Sequence, residues 1–268
     1  MRKIAHIIKP VLVDETSDLF IAQPVTFESM RRARDFARGQ VEVELVSTQY
    51  PEDEPFVPAD FIVASDLQRS VLDVGSFKKP RKLALIGDIM DRLYEASEAE
   101  YFIYTNVDIG LMPHFYTTLN SIIESGNDAF VINRRTVSDK YERPHELPLI
   151  YADIGKKHEG HDCFVFRREV YPKYRLGTIC IGTAMIGRVF IWNLLCHSQK
   201  FHEFKRKHLT FHIGNGRLWQ NDEYLDYLEH NKNEAARIKQ EMQQEFEPPD
   251  DRDPFTIYPF EFNVMKNE

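Results

Sequence analysis

Five short stretches of this chain carry residue types that can do chemistry. Asn106-Val107-Asp108 sets an amide and a carboxylate two residues apart, directly after the apolar run Tyr101 to Thr105. In open α/β sheets, ligands gather outside the carboxyl ends of the strands. At such a place Asn106 and Asp108 either hold a hard divalent cation shared with substrate phosphates or form an Asx turn that caps the helix beginning near Pro113. His158-Glu159-Gly160-His161-Asp162 has the composition of a metal cluster without the helical HExxH spacing. Asp162 opens a buried strand, where it serves as a base, as a ligand for a hydroxyl group, or as a plain cap. His212-Ile213-Gly214-Asn215-Gly216-Arg217 is a strand end followed by a Gly-rich turn. The imidazole there is either a metal ligand or an ordinary satisfied polar group. The last stretches are basic: Lys78 to Lys82, and the pair Arg134-Arg135. Arg pairs with phosphate through two nitrogens at once. Lys78 and Lys79 read as a solvated run, whereas Arg134 and Arg135 follow a buried strand.

These residues need elements to hold them. Lys3 to Ile8 is a β-branched run, expected as a first strand. Thr26 to Arg38 reads as a helix with Thr26 as its cap and Gly39 as its stop. Val41 to Ser47 alternates apolar and charged residues and is expected as a strand. Strand, helix, strand within 47 residues predicts a parallel α/β sheet. The spacing of Ile86, Ile89, Met90 and Leu93 predicts a helix over 86–96, and Phe115 to Glu124 a second. Tyr101 to Thr105 and Ala129 to Asn133 read as strands buried on both faces. Residues 136–160 are polar and expected as loop, and residues 50–58 likewise. Asp162 to Phe166 is expected as a strand, Ala184 to Cys196 as a buried helix, and Leu209 to Ile213 as a short strand. Asp222 to Phe246 repeats Leu225, Leu228, Ala235, Ile238 and Met242 near heptad spacing. A long surface helix is expected there, docking on a partner or joining two copies into a homo-oligomer, before EPPDDRDPF breaks it.

Composition bounds the function classes. The chain has 268 residues, 43% hydrophobic and 12% aromatic, which supports a sizeable core and excludes global disorder. The net charge of −8 gives no overall basic stripe of the kind a nucleic-acid binder shows. The three Cys, at 163, 180 and 196, lack zinc-cluster spacing and cannot build a disulfide framework. They read as reduced thiols. No apolar run approaches the roughly 20 residues of a membrane span, and the charged N-terminal run does not read as a signal peptide. A cytoplasmic protein is expected.

Taken together, the motifs carry a resemblance. Ala99 to Met112 (AEYFIYTNVDIGLM) resembles the strand and DxD-type motif of glycosyltransferases with the GT-A fold, in the N-x-D form. Gly160 to Phe166 resembles a G-x-D-x-F-V-F strand seen in a group of them. Ile181-Gly182 and Trp192-Asn193-Leu194-Leu195 resemble the stretch that follows, with Asn193 where that group has Asp. His212 matches the His that ends the core, although Ile-Gly-Asn-Gly follows it here. The resemblance spans roughly residues 1–219. It implies an α/β fold of GT-A (Rossmann-like) type, a mostly parallel sheet flanked by helices, with a C-terminal helical extension over 220–268. It implies transfer of a hexosyl group from a nucleoside-diphosphate sugar to a hydroxyl acceptor, a glycan or small molecule. The implied metal is Mn²⁺ or Mg²⁺, held by Asp108 with Asn106 and His212. The implied base is Asp162. The nucleotide would lie near Lys9 and Pro10, with Arg81, Lys82, Arg134 and Arg135 toward phosphate or sugar.

Three rivals remain open at this point. A nucleotidyltransferase needs a Gly-rich, Arg-containing loop after its first strand, and Lys9-Pro10-Val11-Leu12-Val13 offers no Gly. A metal-dependent hydrolase would use His158, His161, Asp162 and His212 together. A non-catalytic scaffold of the same fold would bind no sugar nucleotide.

Overall fold

The computed structural model describes residues 1–216, 221–246 and 253–260. Arg217 and Trp219, the 219/220 boundary and most of the EPPDDRDPF segment lie outside the described residues. The chain opens with β1 (Arg2–Ile8), α1 (Leu19–Phe36), β2 (Val41–Ser47) and β3 (Ile62–Val63). It continues through α2 (Ile86–Ala96), β4 (Tyr101–Thr105), β5 (Gly110–Leu111), α3 (Phe115–Glu124) and β6 (Ala129–Val137). Then come α4 (Leu147–Ala152), β7 (Lys156–Arg167), α5 (Ile186–His197), β8 (Phe201–Phe204) and β9 (Thr210–Ile213). The helices α6 (Leu225–Glu245) and α7 (Pro254–Ile257) end it.

The strands form one sheet in the order β3-β2-β1-β4-β7-β6-β9-β5, with β8 also paired to β6. Side chains alternate across a strand, and the two faces of the sheet build two cores. Ile4, Ile8, Leu45, Tyr101 and Ile103 pack with residues of α1 and α3. Ala5, Ile7, Val46, Phe102 and Tyr104 pack with residues of α2, α5 and α6. This is a Rossmann-like α/β domain in three layers. The sheet is mixed rather than mostly parallel. Five strand pairings are parallel and three antiparallel, because β7 runs against β4 and β6, and β5 against β9. The reversed β7 brings its first residues to the edge where β1, β2, β4 and β9 end, and where the far half of β6 lies.

Two expectations about elements need correction. Helix α1 starts at Leu19, so Thr26 is an interior residue and caps nothing. Pro24 normally marks a helix start, yet here it sits inside. Burial of Ala22, Gln23, Val25 and Phe27 outweighs the lost backbone bond. The stretch 136–160 is not all loop. Leu147–Ala152 is helical, and β7 begins six residues before Asp162, at Lys156. Its polar half KKHEGH gives no buried-strand signal, because it lies past the core.

The apolar seam of α6 is covered by this same chain. Ala235, Ile238 and Met242 enter the core beside α2 and α5. Tyr227 stacks on Phe77 at 4.1 Å between ring centroids. Asn231 is fully buried and holds the loop before α5, accepting from Cys180 N–H at 2.9 Å and donating to the Cys180 and Ala184 carbonyls. The surface that this seam needs is therefore its own domain. Leu225 stays exposed and Leu228 half-buried. Ile238→Ala is accordingly expected to cost about 2–5 kcal/mol, the usual range for a buried Ile truncated to Ala. Urea unfolding monitored by circular dichroism measures it, and a cost below 1 kcal/mol would mean that α6 is a loosely held appendage. The three Cys form no disulfide. No described helix is long and apolar enough to cross a membrane.

Candidate functional site

The carboxyl edge of the sheet gathers the polar residues. Asp108 lies three residues past β4, and His212 lies in β9. His212 Nε2 stands 3.2 Å from Asp108 Oδ2, and His212 Nδ1 donates to the Gly214 carbonyl at 2.9 Å. Gly214 has φ +71°, the left-handed conformation that turns this carbonyl back toward the ring. Burial opposes charge on both partners. For Asp108 the His212 hydrogen bond and the charges of His212 and Arg134 outweigh it, so the carboxyl stays below its ordinary range. For His212 the Asp108 hydrogen bond and charge outweigh burial, so the imidazole is raised above its ordinary value. The other carboxylate oxygen, Asp108 Oδ1, is buried without a hydrogen-bond partner.

A second carboxylate lies at the same edge. Asp162 Oδ1 accepts from Arg134 Nη1 at 3.1 Å, with both side chains nearly buried. His158 Nδ1 is 3.7 Å from Asp162 Oδ2 and accepts the Gly160 N–H at 2.9 Å. Burial opposes the charge on Asp162. The Arg134 charge and the His158 contact outweigh it, with Asp108 as a nearby like charge, and the carboxyl stays below its ordinary range. Asp162 Oδ2, like Asp108 Oδ1, is buried and has no hydrogen-bond partner. Two carboxylates therefore share the field of one guanidinium, and each has one oxygen without a hydrogen bond.

The remaining predicted residues separate. Asn106 Oδ1 accepts from Tyr104 Oη at 2.8 Å, so its carbonyl is engaged beside Asp108. Lys9 follows β1 and binds Asp53 Oδ2 at 2.7 Å in a buried pair. Burial lowers the Lys9 ammonium, and Asp53 counteracts this only in part. Pro10 is buried next to it. Lys9 and Lys82 both face the Tyr50 ring, at 5.0 and 4.0 Å from its centroid, and Lys82 also meets Glu52. Arg81 turns away to Glu223 and the Tyr224 ring. Arg135 binds the Ile154 and Gly155 carbonyls, on the side opposite Arg134.

The four-residue hydrolase set does not assemble. His158 and Asp162 meet, but His161 points to Glu203 at 3.0 Å. The two histidines stand three positions apart on β7 and turn to different partners, His158 toward Arg134 and Asp162, His161 toward Glu203. Among the described residues no group of three or more His, Cys, Asp or Glu is placed to hold a metal ion. Sequence reasoning missed Glu203, Asn133, Tyr258 and Asp53. Glu203 lies in Phe-His-Glu-Phe, four residues long, too short to register as a strand.

No protein-family model matches this chain, and no curated protein matches it. Solved structures do. Residues 1–349 of S. aureus TarS in complex with UDP-GlcNAc are similar, with TM-score 0.48 and 10% identity, over 90% of this chain and 73% of that one. The same TarS fragment with UDP gives TM-score 0.49 and 10% identity, over 95% and 75%. Glucosyl-3-phosphoglycerate synthase from Mycobacterium tuberculosis, with Mg²⁺ and UDP, gives TM-score 0.46 and 14% identity, over 93% and 81%.

Proposed function

We propose that this chain is a glycosyltransferase that moves a hexosyl group from a nucleoside-diphosphate sugar to a hydroxyl acceptor. Residues 1–219 form the catalytic domain and 220–268 its extension. One observation carries the reading: Asp108 and Asp162 each present a buried, unpartnered carboxylate oxygen at the carboxyl edge of the sheet, flanking Arg134. Two such carboxylates in different surroundings suit two roles.

The donor set fits a hard cation in part. Asp108 Oδ1 is free, and His212 Nε2 lies next to Asp108 Oδ2. Two protein ligands suffice where phosphate oxygens complete the shell, as is usual for Mg²⁺-type sites. Asp108 and His212 would hold Mn²⁺ or Mg²⁺, and Asn106 stands behind them. When bound, the cation supplies electrostatic stabilisation of the departing diphosphate. Arg134 adds fixed positive charge between the two carboxylates. Asp162 Oδ2 takes the proton of the acceptor hydroxyl. The hydroxyl oxygen bonds to the anomeric carbon, whose bond to the phosphate oxygen breaks with its electron pair leaving on the diphosphate. His158 braces the Arg134–Asp162 pair: its Nδ1 lies 2.9 Å from the Gly160 nitrogen and its Nε2 3.5 Å from Arg134 Nη2. Lys9, Pro10 and Lys82, the two lysines gathered at the Tyr50 ring, are the residues we assign to the nucleotide side of the site.

A thermal-shift panel tests this. UDP-, GDP-, CMP- and dTDP-sugars are compared with and without Mn²⁺. A ligand at a hundredfold excess over its dissociation constant adds about 2.7 kcal/mol to the native state. For a chain of this size that is roughly 5–10 °C. One donor is expected to give such a shift, larger with Mn²⁺. No shift from any donor, with or without Mn²⁺, would favour the scaffold and sink the transferase.

A further inference from the structure

The pairing of β6 with β7 breaks at the candidate site. Ile132 faces Cys163, Asn133 faces His161, and Arg135 faces Lys157, so β7 runs through six residues where β6 runs through three. A bulge of this kind re-aims side chains, and a one-residue slip moves a side chain to the other face. Arg134 and Asp162 lie within this break. With regular alternation from Phe130 and Ile132, which pack in the α1/α3 core, Arg134 would face that core rather than Asp162.

A bulge that carries catalytic groups needs something to hold it. Asn133 immediately precedes Arg134, and His161 immediately precedes Asp162. Both bind the carboxylate of Glu203 on β8. Asn133 Nδ2 donates to Glu203 Oε1 at 3.2 Å and to the Glu159 carbonyl at 3.3 Å. His161 Nε2 meets the same Oε1 at 3.0 Å. Tyr258 donates to Oε2 at 2.6 Å, and Lys205 lies 3.2 Å from it. The Glu203 side chain is 7% exposed. Burial opposes its charge, but the hydrogen bonds from His161 and Tyr258 prevail and draw the carboxyl down to about 2. One carboxylate thus ties both strands of the bulge at the residues next to Arg134 and Asp162. Tyr258, next to α7, ties the C-terminal segment to the same carboxylate, and its carbonyl accepts from Trp192 Nε1 at 2.9 Å.

We infer that Glu203 is a positioning residue: it clamps the β6–β7 bulge through Asn133 and His161, and so aims Arg134 and Asp162 at each other and at the substrate. The inference rests on the transferase reading for its kinetic consequence and on the bulge alone for its structural one. A buried hydrogen-bonded carboxylate acts on its neighbours as a unit, and residues acting as a unit are non-additive.

The test is a set of mutant cycles with two readouts. Glu203→Gln keeps the volume and removes the charge. It is expected to lower kcat by about 10–100-fold, with donor affinity in the presence of Mn²⁺ changed less than twofold. Tyr258→Phe removes one donor from outside the bulge and is expected to give a smaller loss in the same sense. The double variant Asp162→Asn/Glu203→Gln is expected to fall below Asp162→Asn by clearly less than the factor that Glu203→Gln costs alone, because Glu203 acts in part through that carboxylate. The second readout needs no activity. The coupling between Arg134→Gln and Asp162→Asn in urea unfolding is favourable in the parent and is expected to vanish in the Glu203→Gln background. Multiplying kinetic losses, or an undiminished Arg134–Asp162 coupling, would overturn the clamp. A parent protein without transfer activity whose coupling still depends on Glu203 would overturn the transferase reading and leave the clamp standing.

Discussion

Asp108→Asn is expected to abolish the Mn²⁺-dependent part of donor binding and to lower turnover by roughly 10²–10³, the usual loss when one electrostatic group of a reaction centre is removed. The substitution is nearly isosteric. It replaces the free Oδ1, or its twin facing His212, by an amide nitrogen that repels a cation and cannot balance an imidazolium. The fold should survive. Asp108 follows β4 instead of lying within it, and its side chain is 23% exposed. A thermal midpoint within about 4 °C of the parent is expected, equivalent to roughly 1–2 kcal/mol. Calorimetric titration of Mn²⁺ with a nucleoside diphosphate reads the binding, and a coupled assay reads the turnover. Metal-stimulated turnover at the parent level would remove Asp108 from the metal role, and with it the partial fit of His212.

Much of the scaffold was legible because local pattern and tertiary burial agree there. The run Tyr101 to Thr105 is apolar at every position, and both faces of β4 are in fact covered. The helix over 86–96 follows from the spacing of Ile86, Ile89, Met90 and Leu93, all fully buried. Agreement fails where tertiary contacts override local signals. Pro24 hides the first turn of α1. The polar residues at the start of β7 belong to a strand that has left the core. The heptad-like seam of α6 says only that something covers it, and cannot say that the cover is the same chain. Site legibility follows the same line. Asp108, Asp162, Arg134 and His212 are polar groups beside apolar strands, so sequence marks them, and the fold does bring them to one edge. Arg134 and Arg135 look alike in sequence but diverge, because the β6–β7 register break sets their directions. That break, and the Glu203 clamp beneath it, depend on pairings between residues up to 70 positions apart. No local pattern encodes such pairings.

Asp162→Asn separates the roles that sequence left open. As the acceptor-side base, Asp162 is no metal ligand, so the variant is expected to keep donor and Mn²⁺ affinity within about twofold of the parent and lose roughly 10²–10⁴ in turnover, the usual contribution of general-base catalysis. The pH dependence follows from its surroundings. Burial raises the Asp162 carboxyl, Arg134 and His158 more than reverse this, and the net direction is down. A carboxyl depressed in the folded state lends stability that is fully present above its unfolded value, roughly 3.9, and lost as pH falls through the lower folded value. The base is therefore ionised across the neutral range, and its acid limb in kcat/KM is expected below about pH 4. Asp162→Asn should erase that limb and the matching part of acid destabilisation, because an amide does not titrate. In the hydrolase alternative the same change would lower metal occupancy, which the separation of His161 toward Glu203 argues against. Calorimetric titration beside a pH-rate profile distinguishes these outcomes. Lost Mn²⁺ affinity would return Asp162 to the metal. Unchanged binding with unchanged turnover would reduce it to the Arg134 partner that holds the bulge, and the base would then have to be sought among the groups that face Asp108.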